Sequence, residues 1–140
     1  RVGSGVGLDP DHANAARRLR AAVARHPFMV GGTGRFDTRV MECLGERVFC
    51  KVGAEGMFCA AFPERGLGVA IKIEDGDGKD RGPWAATVEA LRQVGVIEGQ
   101  AQRVLARYHR PQIMDPHGRL GAEAVPDFDL APLGELVGAG

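Results

Sequence analysis

Between Arg47 and Ile73 the chain holds three short apolar runs, and only four residues separate each run from the next. The first, RVFCKV from Arg47 to Val52, alternates Val48, Cys50 and Val52 with Arg47, Phe49 and Lys51, the period of a strand. Gly53-Ala54-Glu55-Gly56 turns the chain into a second run from Met57 to Phe62. Pro63-Glu64-Arg65-Gly66 then leads to a third, from Leu67 to Ile73. Connections this short join antiparallel neighbours, because a parallel pair needs a long crossover. Three strands with one apolar face do not stand alone, so helices must cover them. The expected class is α+β: an antiparallel β-meander covered by helices.

The flanks supply those helices. Asp9-Pro10 reads as a helix start, a side-chain cap followed by proline at the first helical position. Ala15, Leu19, Ala22 and Val23 form an apolar stripe, and the helix should stop near His26-Pro27. VGGTGRFDT, from Val30 to Thr38, reads as a tight glycine-rich loop in which Asp37 caps a short helix ending at Gly45. After the strands, Glu74 to Gly82 is a charged, glycine-rich loop. Pro83 opens a helix with Trp84, Val88 and Leu91 on one face. A second helix carries Ile97, Ala101, Val104, Leu105 and Tyr108 and ends at Pro111. From there the sequence is turn-rich and irregular. One domain is expected over residues 1–125, with an irregular tail over 126–140 that frays or docks loosely.

Composition narrows the function classes. Eighteen acidic residues balance eighteen basic ones, with no basic stripe and no acidic tail, which argues against nucleic acid and membrane surfaces as partners. No apolar run approaches transmembrane length. Three cysteines cannot form a closed set of disulfides, which fits a reducing, cytoplasmic setting. The chain opens on Arg1 rather than methionine, as a processed or truncated piece of something longer would.

Within the first strand Lys51 stands out. Lysine is a poor strand residue and costly to bury unpaired, and the chain uses only three lysines against fifteen arginines. Unlike arginine, lysine can shift its pKa and take part in proton transfer. Two readings stay open: a group poised for chemistry, or a side chain snorkelling from a solvated face.

Two blocks carry a resemblance. HPFMVGGTGRFDTRVM, from His26 to Met41, and CKVGAEGMFCAAFPERGLGVAIKIEDG, from Cys50 to Gly76, look like signature blocks of the L-asparaginase II family. That family is related in fold to the serine-type glutaminases and class A β-lactamases. The resemblance covers roughly Ala15 to Pro111. It departs beyond Pro111, where Asp115-Pro116-His117-Gly118 replaces the asparagine and tryptophan that usually precede a glycine-rich last strand.

The resemblance implies a mechanism. Lys51-Val52-Gly53 is similar to the Lys-Ser/Thr-Gly motif of that fold, with valine in place of the hydroxyl residue. By analogy Lys51 lowers the cost of negative charge beside the nucleophile or the substrate carboxylate, and the Ala54 N–H is one oxyanion-hole donor. Gly53 lets the backbone come close to substrate. Arg35 would take a substrate carboxylate and Asp37 an α-ammonium group, or Asp37 only caps its helix and Arg35 pairs with it. Glu55, at the hairpin tip, either holds the substrate's amine or is a solvated turn residue.

The covalent machinery of the fold, a Ser-x-x-Lys pair, is not written in these residues. Ser4 is the one serine, and no lysine follows it at that spacing. Thr33 is the other hydroxyl in a candidate loop. The chain therefore resembles the C-terminal half of the fold. The implied reaction is hydrolysis of L-asparagine to L-aspartate and ammonia, with the isolated chain inactive for want of a nucleophile and base. The rival reading is a non-catalytic module that binds a ligand or dimerises. A half-fold leaves apolar surface exposed, so self-association or docking of an N-terminal half is expected.

No cofactor is required. If Ala54-Glu55 is a two-residue turn, Cys50 lies opposite Cys59 and the pair could hold zinc with Cys43 or His26; the alternative is two small buried hydrophobes. Asp75-Gly76-Asp77-Gly78 invites a calcium reading but fails the EF-hand spacing, since Lys79 and Asp80 stand where a ligand and glycine belong. His12, His109 and His117 read as surface residues.

Overall fold

The computed structural model describes residues 5, 7–74, 76 and 82–132. Its architecture is α+β, a three-stranded antiparallel sheet with helices on one face. Helix α1 (Pro10–Arg25) begins where expected, with Asp9 Oδ1 accepting from the N–H groups of Asp11 and His12 at 3.1 Å each. It stops before Pro27, and the His26 N–H closes back on Ala22 O at 3.0 Å. Of the expected stripe, Val23 alone is buried. Ala16 and Val23 are buried, whereas Ala15 and Ala22 are exposed and Leu19 keeps 49% of its surface in solvent. The helix packs on the 3₁₀ turn Gly45–Arg47 and the first strand.

The glycine-rich segment is shorter than its sequence suggested. Helix α2 (Pro27–Gly31) runs into it, and a loop over 32–35 leads to helix α3 (Phe36–Leu44). The capping position of α3 belongs to Arg35, which makes no side-chain cap bond. Asp37 is thus not the cap: it lies inside the first turn, fully buried. Phe36 explains the shift. Its ring stacks on Trp84 at 4.6 Å between centroids and meets Tyr108 at 5.1 Å and Phe58 at 5.5 Å, so the first turn of α3 is drawn into the core.

Strands β1 (Phe49–Val52), β2 (Met57–Phe62) and β3 (Leu67–Lys72) form the meander in the order β1-β2-β3. β1 starts two residues later than its alternation implied, because Gly45–Arg47 winds into a 3₁₀ turn. Val48, Cys50, Val52, Phe58, Ala60 and Phe62 face the helices and are buried, while Lys51, Cys59, Ala70 and Lys72 face solvent. The first hairpin loop is three residues, not two. The Gly53 N–H donates to Met57 O at 2.8 Å and closes a loop of Ala54, Glu55 and Gly56. Glu55 (φ 54°) and Gly56 (φ 68°) both take left-handed backbone, which glycine adopts freely and glutamate does not. The longer loop shifts the register by one residue, so Cys50 pairs with Ala60 and Lys51 with Cys59.

Helix α4 (Gly82–Gln93) buries Trp84, Val88 and Leu91 as its pattern implied. Helix α5 (Gly99–His109) buries Ala101 and Leu105, but Val104 stays 43% exposed and the buried Ile97 precedes the helix. The stretch after Pro111 is more regular than expected. Strands β4 (Gln112–Met114) and β5 (Leu120–Glu123) form a separate hairpin, its turn tied by Asp115 Oδ1, which accepts from the N–H groups of His117 at 2.8 Å and Arg119 at 2.9 Å. Beyond it the chain docks on α4: Gln93 Nε2 donates to Phe128 O and Leu130 N–H donates to Gln93 Oε1, both at 2.7 Å. Ser4 and the calcium-like run, apart from Gly76, lie outside the described residues. No described helix is long and apolar enough to cross a membrane.

Candidate functional site

The site forms where the first turn of α3 meets the end of β1. Lys51 is an exposed-face residue of β1, with half of its side chain (54%) in solvent. Its ammonium group folds back across the strand edge, donating to Asp37 Oδ2 at 3.0 Å and to Val52 O at 2.7 Å. An ammonium has three N–H donors, so one is left for another acceptor. This arrangement joins the two readings of Lys51: the stem is solvated and the charge is tethered.

Asp37 is the buried half of the pair, with none of its surface exposed. Oδ2 accepts from Lys51 Nζ and from the Val52 N–H at 3.2 Å, and Oδ1 accepts from the Thr38 N–H at 3.1 Å. The Val52 N–H is free for this bond because β1 is an edge strand and alternate N–H groups point away from β2. An ionised carboxylate is held this deep only when its lone pairs are satisfied.

The carboxylate fits because Gly31 has no side chain. A Cβ there would stand 2.3 Å from Thr38 Oγ1 and 2.4 Å from Asp37 Oδ1. Thr38 Oγ1 instead donates to Gly32 O at 2.8 Å, locking α2 to α3 around the Asp37 carboxylate. Gly31, Thr38 and the Val52 N–H were not among the sequence candidates. The adjacent glycines Gly31-Gly32 were the one available signal, since paired glycines often mark a close approach.

The hairpin tip lies just beyond Lys51. Gly53 and Ala54 are exposed, and the Ala54 N–H donates to no group among the described residues. The tip is held from the far side by Lys72, whose Nζ donates to Glu55 O and, at 2.9 Å, to Ile73 O. The Glu55 side chain is exposed at the tip. Thr33 and Arg35 are exposed on the loop that precedes Asp37. The structure thus unites Asp37 and Lys51 directly, with Gly53 and Ala54 following on the same strand end. Arg35 makes no bond to Asp37 among those that fill its oxygens.

The cysteines stand apart from one another. Cys50 points inward and Cys59 outward, so the shared-face pair fails with the register, and no described group of three His, Cys, Asp or Glu side chains could hold a metal ion. Burial, then the Asp37 charge, pushes the Cys50 thiol up to about 12, which keeps it protonated and unreactive near neutral pH. His109 is not a surface residue: only 22% of its side chain is exposed, and Nε2 lies 2.8 Å from Glu89 Oε2.

A family model described as L-asparaginase II matches residues 3–124. No curated protein matches the chain.

Proposed function

The chain belongs to the L-asparaginase II family, and on that premise we propose that it forms the Lys51 half of an amidohydrolase site that converts L-asparagine to L-aspartate and ammonia. The observation that carries this reading is the tethered ammonium of Lys51, 3.0 Å from a fully buried Asp37 and with one N–H to spare, on the strand end that leads to Ala54, whose N–H donates to no group among the described residues. Two donors near one strand end suit the oxygen of an amide carbonyl that gains charge when attacked. A Cβ at Gly53 would stand 3.0 Å from Met57 Cβ, so glycine at this position makes room for the Met57 side chain across the hairpin. On this reading Arg35 and Glu55, both exposed, take the carboxylate and the amine of a small amino-acid amide.

Nucleophilic attack needs a hydroxyl or thiol with a base beside it. These residues carry no Ser-x-x-Lys pair, and Thr33 is an exposed turn residue with no base bonded to it among the described residues. On this reading the nucleophile comes from protein outside these residues, by analogy with the serine β-lactamase and glutaminase folds that the motif resembles. The purified chain should release no ammonia from L-asparagine, yet bind L-aspartate in a manner lost in Lys51→Ala. Ammonia release that disappears in Lys51→Ala would show a self-sufficient site and overturn the incomplete-site reading.

A second reading is favoured by one observation. Leu19 (49%), Phe28 (57%) and Met29 (80%) expose a run of large apolar side chains on α1 and α2, the helices that lead into the site. On this reading the chain is a non-catalytic module that associates through that face. A clean monomer by size-exclusion chromatography, with no L-aspartate binding, would leave neither reading standing.

A further inference from the structure

The Lys51 ammonium does not present a full positive charge to a ligand. Asp37 Oδ2 lies 3.0 Å away with no exposed surface, so its charge is poorly screened by water and acts on whatever Lys51 binds. Its oxygens are filled by the Lys51, Val52 and Thr38 donors, so it is not itself available to a substrate ammonium. Gly31 fixes the carboxylate in place, since any side chain there would collide with it. Cys50, beside Asp37, is protonated and adds no charge. The site therefore offers hydrogen-bond donors on a nearly neutral background.

We infer that Asp37 is the specificity-determining residue of this site: by offsetting Lys51 it favours a net-neutral amino-acid amide over the corresponding acid. The inference rests on the amidohydrolase reading above. An amino-acid amide carries one carboxylate and one ammonium, whereas the acid formed from it carries one more negative charge. A bare lysine would hold the product more tightly than the substrate. With Asp37 behind it, the same lysine donates its hydrogen bond without that penalty, and the acid leaves.

The test compares ligand preference in the intact chain, followed by amide NMR shifts of Val52, Gly53 and Ala54 during titration with L-asparagine, L-aspartate and sulfate. Asp37→Asn keeps the shape of the side chain and removes its charge. It should move the asparagine-to-aspartate affinity ratio toward aspartate by about tenfold and tighten sulfate binding similarly, the effect of one unit of charge close to the ligand. Lys51→Met should do the reverse, weakening sulfate and aspartate more than asparagine. That second variant keeps the inference testable if Asp37→Asn does not fold. An unchanged ratio in the folded variants, or one that moves toward asparagine in Asp37→Asn, overturns the inference. The sulfate arm separates it from the wider reading. If neither amino acid binds the unmodified chain, the amidohydrolase reading fails, while tighter sulfate binding in Asp37→Asn still supports the charge-setting role of Asp37. Sulfate binding that is equal in the unmodified chain and Asp37→Asn sinks the inference alone.

Discussion

Replacing Gly31 by alanine adds a single methyl group, and the structure says where it lands. Its Cβ would sit 2.3 Å from Thr38 Oγ1, 2.4 Å from Asp37 Oδ1 and 3.0 Å from Asp37 Cγ. Relief requires roughly 1 Å of movement by one of two tightly held groups. Thr38 can yield only by giving up its 2.8 Å bond to Gly32 O. Asp37 can yield only by loosening its bonds to the Thr38 N–H at 3.1 Å, the Val52 N–H at 3.2 Å and Lys51 Nζ at 3.0 Å. Overpacking typically costs about 1–3 kcal/mol, and a weakened bond to a charged group about 1.5–3 kcal/mol. These overlap, and alanine regains about 0.5–1 kcal/mol of helix propensity. A net loss of about 3 kcal/mol results. At a urea dependence of about 2 kcal/mol per molar, the unfolding midpoint should fall by about 1.5 M. A double-mutant cycle with Thr38→Ala sharpens the assay. Removing the nearest obstacle should make Gly31→Ala less costly by about 1 kcal/mol or more than it is alone. Additive costs, or a Gly31→Ala midpoint equal to that of the unmodified chain, would refute the crowding of the carboxylate and with it the rigid placement of Lys51.

Two further outcomes follow from groups away from the site. Glu89 is held at about 2, against an ordinary 4.5, chiefly by hydrogen bonds from Arg92, with Gln93 and His109 also donating. Its folded pKa is depressed, so the stability it contributes is present above 4.5 and lost as pH falls toward about 2. Thermal unfolding of the chain should therefore drop across that window and flatten in Glu89→Gln; parallel curves would show that Glu89 is not the responsible group. Thiol labelling should find Cys59 fast, because it is exposed, and Cys50 protected by burial and by a thiol pushed up to about 12. Fast labelling that survives Cys59→Ser and vanishes in Cys50→Ser would mean that the β1–β2 register is wrong.

Local signals carried most of the fold. Asp9-Pro10 and His26-Pro27 bracket α1 because capping and the loss of a proline N–H act within a few residues. The runs from Met57 to Phe62 and from Leu67 became β2 and β3 because alternation and short turns leave antiparallel pairing as the only compact arrangement. Trp84, Val88 and Leu91 lie on one helical face, and that face is buried. Lys51 also stood out, since a lone lysine inside an apolar strand is chemically conspicuous wherever the strand goes.

What the sequence left open are the quantities set by distant parts of the chain. The helical period of α1 named a stripe of Ala15, Leu19, Ala22 and Val23, yet the helix packs on Gly45–Arg47 and β1 with Ala16 and Val23 buried and Leu19 half exposed. A third loop residue at the hairpin tip moved Cys50 and Cys59 to opposite faces, and turn length is not fixed by composition. Asp37 read as a helix cap because aspartate before a helix usually is one. The aromatic cluster around Phe36 pulled that turn inward, and a carboxylate so buried had to find its donors fourteen and fifteen residues away, at Lys51 and Val52. Periodicity and caps act over one or two turns of chain. The partner of a buried charge is settled only when the elements pack.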